Sequence, residues 1–197
     1  MKIIDLALPL NERTPVFPGT PKPKFEQLAS IEKDGWNEQK FTITTQIGTH
    51  IDAPFHMLAS GKKLHEIPLE NLCGEAVVID ARGETSESKK SIPPNLAQVK
   101  PGDIVLFCTG ANAKAQIGTQ TARELIKKKI KLFGIDSPSP DSSPYEIHHL
   151  FFQNNIPIVE NLTNLEKLID KRFFCCILPL KLENSDGAPC RAIGVLQ

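Results

Sequence analysis

No stretch of this 197-residue chain approaches the length of a membrane span; the best apolar run, Phe173 to Leu180, is interrupted by Pro179. The amino terminus, Met1 to Leu10, is too short an apolar stretch for a signal peptide and carries Asp5 inside it. Together these absences make a cytoplasmic protein with no membrane partner the expectation. Net charge is also lacking: 23 basic and 23 acidic residues balance, and the longest basic run is Lys127-Lys128-Lys129. That run reads as the solvated end of a helix, and nucleic acid is not expected as a partner. The five cysteines are odd in number and include no Cys-x-x-Cys, which argues against a disulfide framework or a zinc ribbon. Cys175 and Cys176 would point to opposite sides of a strand, so a regular strand cannot bring both to one ion. There is no Gly-x-Ser-x-Gly elbow and no phosphate-cradling glycine loop. Cys108 closes a strand, but no histidine is placed by sequence to activate its thiol. Neither a repeat nor a linker divides the chain, so residues 1–197 read as one domain, long enough for a sizeable core.

What is present is concentrated in residues 46–56, Gln-Ile-Gly-Thr-His-Ile-Asp-Ala-Pro-Phe-His. Two of the five histidines, His50 and His56, fall here with Asp52 between them. Phe41 to Asp52 alternates as a strand, with Phe41, Ile43, Ile47 and Ile51 on one face and Gln46, Gly48, His50 and Asp52 on the other. His50 and Asp52 would stand roughly 6.5 Å apart, a span two side chains can close on one cation. Gln46 and His50 would be roughly 13 Å apart on a straight strand, so they converge only if Gly48 bends the chain. Pro54 ends the strand and lets His56 approach from another direction. Imidazole and carboxylate ligands suit zinc first and manganese second. Such a cation lowers the pKa of a bound water to about 7 and polarises a carbonyl, and a histidine that does not bind it can act as general base and acid.

The rest of the chain alternates strands with helices, which indicates an α/β domain with a mixed sheet. Ile3–Leu8, Glu75–Ala81, Asp103–Cys108, Leu132–Asp136, Ile156–Glu160, Phe173–Leu182 and Ala192–Leu196 read as strands. A Pro-rich turn region spans 15–23, and a Ser-, Lys- and Pro-rich surface loop separates the second and third of these strands. Helices are expected over Thr121–Lys129, from Ser143-Pro144-Tyr145-Glu146 to Gln153 with Ser143 as cap, and from Thr163 onward. On the second helix His148 and His149 point about 100° apart, so one site can use only one of them, and periodicity does not choose. Glu160 ends an apolar strand, where ligands often sit in α/β proteins; a helix cap or ion pair is the equally weighted alternative. Asp136, at another strand end, reads as a structural hydrogen-bonding residue.

The run Gly48-Thr49-His50-x-Asp52-x-Pro54-x-His56 resembles the signature of the cyclase-like metal-dependent hydrolases, which include bacterial kynurenine formamidase (arylformamidase) and isatin hydrolase. Residues 15–19 resemble the family's opening, and Gly134 to Ser139, His148 with Ile156 to Leu162, Pro179 to Leu182, and Gly187 to Arg191 resemble later segments. The resemblance implies an α/β swivelling domain of β/β/α type, assembled as a homodimer, homotetramer or other oligomer. It implies His50 and Asp52 as metal ligands, His148 rather than His149 as the helix ligand paired with Glu160, and His56 as catalytic acid/base. Phe17 and Pro18 would help close the substrate site of a neighbouring subunit. The departure is Gln46, where the family has a ligand histidine; a Gln carbonyl is a weaker zinc ligand. Three outcomes follow: one ion held by Asp52, His148 and Glu160; two ions with one held loosely; or loss of metal. The implied activity is hydrolysis of a formamide or lactam bond in a small molecule, by attack of metal-bound hydroxide with His56 moving the proton. The competing expectation is a catalytically impaired homologue that binds a metal or small molecule without turnover.

Overall fold

The computed structural model describes residues 1–82, 96–112 and 114–196. The strands are β1 (Lys2–Asp5), β2 (Lys24–Ala29), β3 (Glu38–Thr42), β4 (His50–Asp52), β5 (Cys73–Asp80), β6 (Ile104–Cys108), β7 (Leu132–Ile135), β8 (Ile158–Glu160), β9 (Arg172–Pro179) and β10 (Gly187–Leu196). The helices are α1 (Ile31–Asp34), α2 (Leu69–Leu72), α3 (Thr119–Lys127) and α4 (Glu146–Gln153), with 3-10 turns at Pro54–His56, Leu64–Glu66 and Leu165–Leu168. The expected surface loop after β5 lies mostly outside the described residues. Among the described residues no helix is long and apolar enough to cross a membrane.

Eight strands form one sheet in the order β1-β10-β4-β8-β7-β6-β5-β9, and β9 pairs again with β10. That second pairing closes seven strands into a barrel-like ring, with β1 added beside β10. Strands β5 to β8 are mutually parallel, whereas β4, β9 and β10 run antiparallel to their neighbours. The result is the mixed α/β architecture expected from the alternation of strands and helices.

Two apolar layers explain why the parallel strands read as unbroken hydrophobic runs. Ala76, Val78, Ile104, Leu106, Leu132 and Val159 point into the ring with Ile51, Cys175, Ile177 and Ala188. Their sequence neighbours Val77, Ile79, Val105, Phe107, Phe133 and Ile158 point outward and are covered by Ala122 and Leu125 of α3 and by Ile147, Phe151 and Phe152 of α4. A strand buried on both faces has no polar side to show, so its alternation disappears. Phe133 stacks on Phe151 with ring centroids 4.9 Å apart, which seats α4 against β7. Cys175 is fully buried and Cys176 only partly so, as their opposite directions require, and all five cysteines are free.

Several boundaries differ from expectation. Phe41 to Asp52 is not one strand: β3 ends at Thr42, and residues 43–49 bend before β4 begins at His50. Gly48 has φ +58, and a Cβ there would run into the Leu10 side chain. The bend also breaks the expected face, since Phe41 is 55% exposed while Ile47 is 1% exposed. Strand β2 and the one-turn α1 went unseen in the pattern. Helix α3 starts earlier than Thr121, after Gly118, so Thr121 is a buried residue of its first turn. Helix α4 starts at Glu146, with Tyr145 in the left-handed region and Ser143-Pro144 in the turn before it, so Ser143 does not cap it. The Asp141 carboxylate instead accepts the backbone N–H of Ile147 at 2.6 Å. The helix expected after Thr163 is a single 3-10 turn, and β10 extends to Gly187, earlier than Ala192.

Candidate active site and metal centre

Strand β4 lies between β10 and β8, with His50 directly opposite Glu160 and Asp52 directly opposite Gly187. Residues opposite each other in an antiparallel pair share a face. Ile51 and Val159 turn into the ring, so His50, Asp52 and Glu160 all turn outward, under α4. Gly187 leaves the space beside Asp52 open: a Cβ at that position would sit 2.5 Å from the Ile51 carbonyl oxygen and 3.4 Å from Asp52 Oδ1. Helix α4 supplies His148, which is buried, while His149 is partly exposed. The tertiary structure therefore makes the choice between the two histidines that periodicity left open.

The four side chains converge. His50 Nε2 is 3.7 Å from Asp52 Oδ1 and 3.5 Å from Glu160 Oε2. His148 Nε2 is 3.3 Å from Glu160 Oε1 and 4.0 Å from Asp52 Oδ2. Ligand atoms of His50, Asp52 and Glu160 all lie within 4.8 Å of one another. His50 Nδ1 is 2.8 Å from the Gly48 carbonyl oxygen. A carbonyl can only accept, so Nδ1 carries the hydrogen and Nε2 presents its lone pair to the cluster. His148 likewise has an outer partner at Nδ1, 2.5 Å from Asp141 Oδ1. Outer partners of this kind orient metal-binding imidazoles.

The electrostatics describe a cluster short of positive charge. Burial pushes the Glu160 carboxyl above the usual range, and the Asp52 charge adds to this, against the pull of His148. For His148 burial opposes the charged form, but the Asp141 and Glu160 carboxylates outweigh it and raise the imidazole to about 9. Among the described residues, buried His50 Nε2 and Asp52 Oδ1 have no hydrogen-bond partner. Such groups are costly unless paired or coordinated. Two imidazole nitrogens and two carboxylates, two of their atoms orphaned, fit a divalent metal cation.

His56 stands apart from this cluster, on the 3-10 turn begun by Pro54. Its Nδ1 is 3.0 Å from Asp186 Oδ2. Burial disfavours the imidazolium, but Asp186 and the Asp52 charge prevail and raise the pKa. Asp186 is held down to about 2, chiefly by the His56 bond, with Thr45 and Gln46 contributing against burial. Gln46 donates its amide to the same carboxylate oxygen at 3.1 Å. Asp136 accepts from Thr109 and from the backbone of Gly110 and Ala111, in keeping with its expected structural role.

A cavity of about 520 Å³ opens over these groups. His50, Asp52, His56, His148 and Glu160 form its polar floor, and Val16, Phe17, Pro18, Met57 and Tyr145 supply apolar wall. Phe17 and Pro18 thus line the pocket of their own chain. Asp141, Tyr145 and Asp186 were missed in the sequence. Asp186-Gly187 carries a turn signal, but 130 positions separate Asp186 from the histidine it meets.

Comparison with known proteins gives the family. The family model named Cyclase matches residues 4–142. The chain is 32% identical to a kynurenine formamidase of Bacillus anthracis, across 98% of this chain and 96% of that protein. A solved structure described as a potential metal-dependent hydrolase with cyclase activity superposes with TM-score 0.80 at 29% identity, covering 98% of this chain and 96% of the other. Isatin hydrolase A from Ralstonia solanacearum shares the fold, with TM-score 0.84 at 24% identity over 100% of this chain and 92% of the other. Taken with the ring of strands and the histidine–carboxylate floor, these likenesses establish that the chain belongs to the cyclase family.

Proposed function

We infer that this protein is a metal-dependent hydrolase acting on an amide bond of a small molecule. The observation that carries the reading is the buried cluster of His50, Asp52 and Glu160 beneath a cavity, with His148 3.3 Å from Glu160 and 4.0 Å from Asp52, and with His56 set apart from them. The kynurenine formamidase relatives support the amide specificity.

In this proposal His50, Asp52, His148 and Glu160 hold the cation, zinc first and manganese second. Gln46 is at most a weak further ligand: its amide nitrogen donates to Asp186, so only its neutral carbonyl oxygen is left to offer a cation. When bound, the cation supplies Lewis acidity and an acidified water. His56 accepts the proton of the attacking water and delivers it to the leaving nitrogen, which departs as a neutral amine. Phe17, Pro18 and the neighbouring apolar wall hold the substrate's hydrophobic body with its carbonyl toward the floor. The substrate class is a formamide or lactam, the number of ions is one or two, and the protein works in the cytoplasm as a homodimer or homotetramer. An impaired homologue is the weaker reading, because the four converging side chains and His56 are all present.

Elemental analysis of protein purified without chelator, followed by assay with N-formylkynurenine and isatin, tests the reading. We expect at least one equivalent of metal and hydrolysis of one of the two. Less than about half an equivalent of any transition metal, with no hydrolysis after zinc or manganese is added, would refute it.

A further inference from the structure

Three side chains from separate parts of the chain meet beside the proposed metal centre. Gln46 lies in the bend before β4, His56 on the turn after it, and Asp186 at the entrance to β10. One oxygen, Asp186 Oδ2, serves both partners: it is 3.0 Å from His56 Nδ1 and accepts the Gln46 amide at 3.1 Å. We propose that Asp186 and Gln46 are positioning residues for His56, and that Gln46 serves this purpose instead of holding metal. This rests on the reading of His56 as the proton-transfer group.

The chemistry follows from what each atom can do. An ionised carboxylate only accepts, so the His56 nitrogen facing it carries the hydrogen. The neutral ring is thereby fixed as the Nδ1–H tautomer, with the Nε2 lone pair left to take a proton. An imidazole without such a partner divides between two tautomers and several orientations. The carboxylate itself must be held, and Gln46 does this through a donor that a neutral amide offers at every pH.

The surrounding backbone supports the arrangement. The Asp186 carbonyl accepts the Ala53 N–H at 2.8 Å, and the Ala53 carbonyl accepts the His56 N–H at 2.8 Å. The two side-chain partners therefore hang from neighbouring points of one hydrogen-bonded frame. After Asp186 only glycine fits: a Cβ on Gly187 would lie 2.8 Å from Gln46 Nε2 and 2.5 Å from the Ile51 carbonyl oxygen. Any side chain at Gly187 would push the Gln46 amide off its carboxylate. The substitution that looks like a missing ligand in the sequence is, in space, a donor built into the acid/base pair.

The decisive measurement is the tautomer of His56, read by long-range nitrogen–proton NMR above its pKa, in the native enzyme and in Asp186→Asn. We expect Nδ1–H in the native ring and a shift toward Nε2–H in Asp186→Asn, whose amide can donate to Nδ1. The kcat of that variant should fall about 100-fold with KM changed little, the scale of losing general-base assistance. Gln46→Met should lower kcat by a smaller factor while leaving metal content unchanged. An Nε2–H tautomer in the native protein, or a Gln46→Met variant that loses metal, would overturn the proposal. The NMR result does not depend on turnover. Native Nδ1–H that shifts in Asp186→Asn, in a protein that hydrolyses no amide, would support the positioning and sink the hydrolase reading alone.

Discussion

His50 and Glu160 face each other directly across the β4–β8 ladder, and their side chains meet 3.5 Å apart in a buried position. Strand register alone brings them together from sites 110 residues apart in the chain. Asp52, two residues on along β4, shares their face, and His148 reaches down from α4 to complete the set. No loop motion is needed to assemble the four groups, because each sits on a strand or helix seated by its own apolar neighbours.

Loss of one member should therefore cost metal before it costs fold. In Glu160→Gln the carboxylate charge disappears while shape is kept. We expect the retained metal after dialysis to fall below that of the native protein, with affinity weakened by more than about 100-fold, beyond the effect of losing a supporting partner. Elemental analysis and competition with a chromogenic chelator measure both quantities. Circular dichroism should show an unchanged fold.

The metal-free protein should respond in the opposite sense to Asp52→Asn. Among the described residues, buried Asp52 Oδ1 has no hydrogen-bond partner, and the Asp52 charge stands against that of Glu160. Neutralising it relieves the repulsion between two buried carboxylates, which the neighbouring His50 and His148 offset only in part. We expect the chelated variant to be more stable than the chelated native protein by on the order of 1 kcal/mol, a rise in Tm of about 2–4 °C. With metal present the order should reverse.

The His56–Asp186 pair sets a stability window. The folded His56 pKa is raised above its ordinary 6.5, so its contribution is full below 6.5 and is lost as pH rises through the folded value. Asp186 is lowered from 3.8 to about 2, so its contribution is full above 3.8 and is lost as pH falls through about 2. The difference in Tm between native protein and Asp186→Asn should be greatest between these two ordinary values and shrink on either side. The acid limb of kcat/KM, which requires neutral His56, should move to lower pH in the variant.

Gly48→Ala should destabilise the bend that separates His50 from Gln46. The residue has φ +58, and the added methyl would meet Leu10. A left-handed conformation at a non-glycine residue costs about 1–3 kcal/mol. Thermal melting should show a loss of that size, a drop in Tm of about 2–12 °C. Metal affinity should fall with it, because the Gly48 carbonyl orients His50.

Much of the centre was legible because ligand chemistry is local. His50, Asp52 and His56 lie within one short run, and the two-residue spacing on a strand dictates that His50 and Asp52 share a face. The need for a bend at Gly48 followed from strand rise alone. The course of the chain on either side of that bend was not legible, because alternation continues through residues 43–49 although the backbone does not stay extended. Helix starts were misplaced where a distant or unusual partner replaced the local cap, as Asp141 does at α4.

By itself the sequence determined the residue types that can hold a cation, the strand that carries two of them, and the alternation of elements that makes the domain α/β. These follow from side-chain chemistry and short-range geometry, which adjacent residues carry with them. Helical periodicity could not choose between His148 and His149; the family resemblance pointed to His148, and the tertiary structure buries it at the site. Only the tertiary structure decided that Asp186 stands behind His56 and that Gln46 bonds to Asp186. Each of these depends on strand register and helix docking across long separations in the chain. Those are set by the summed burial of two apolar layers and not by any local signal.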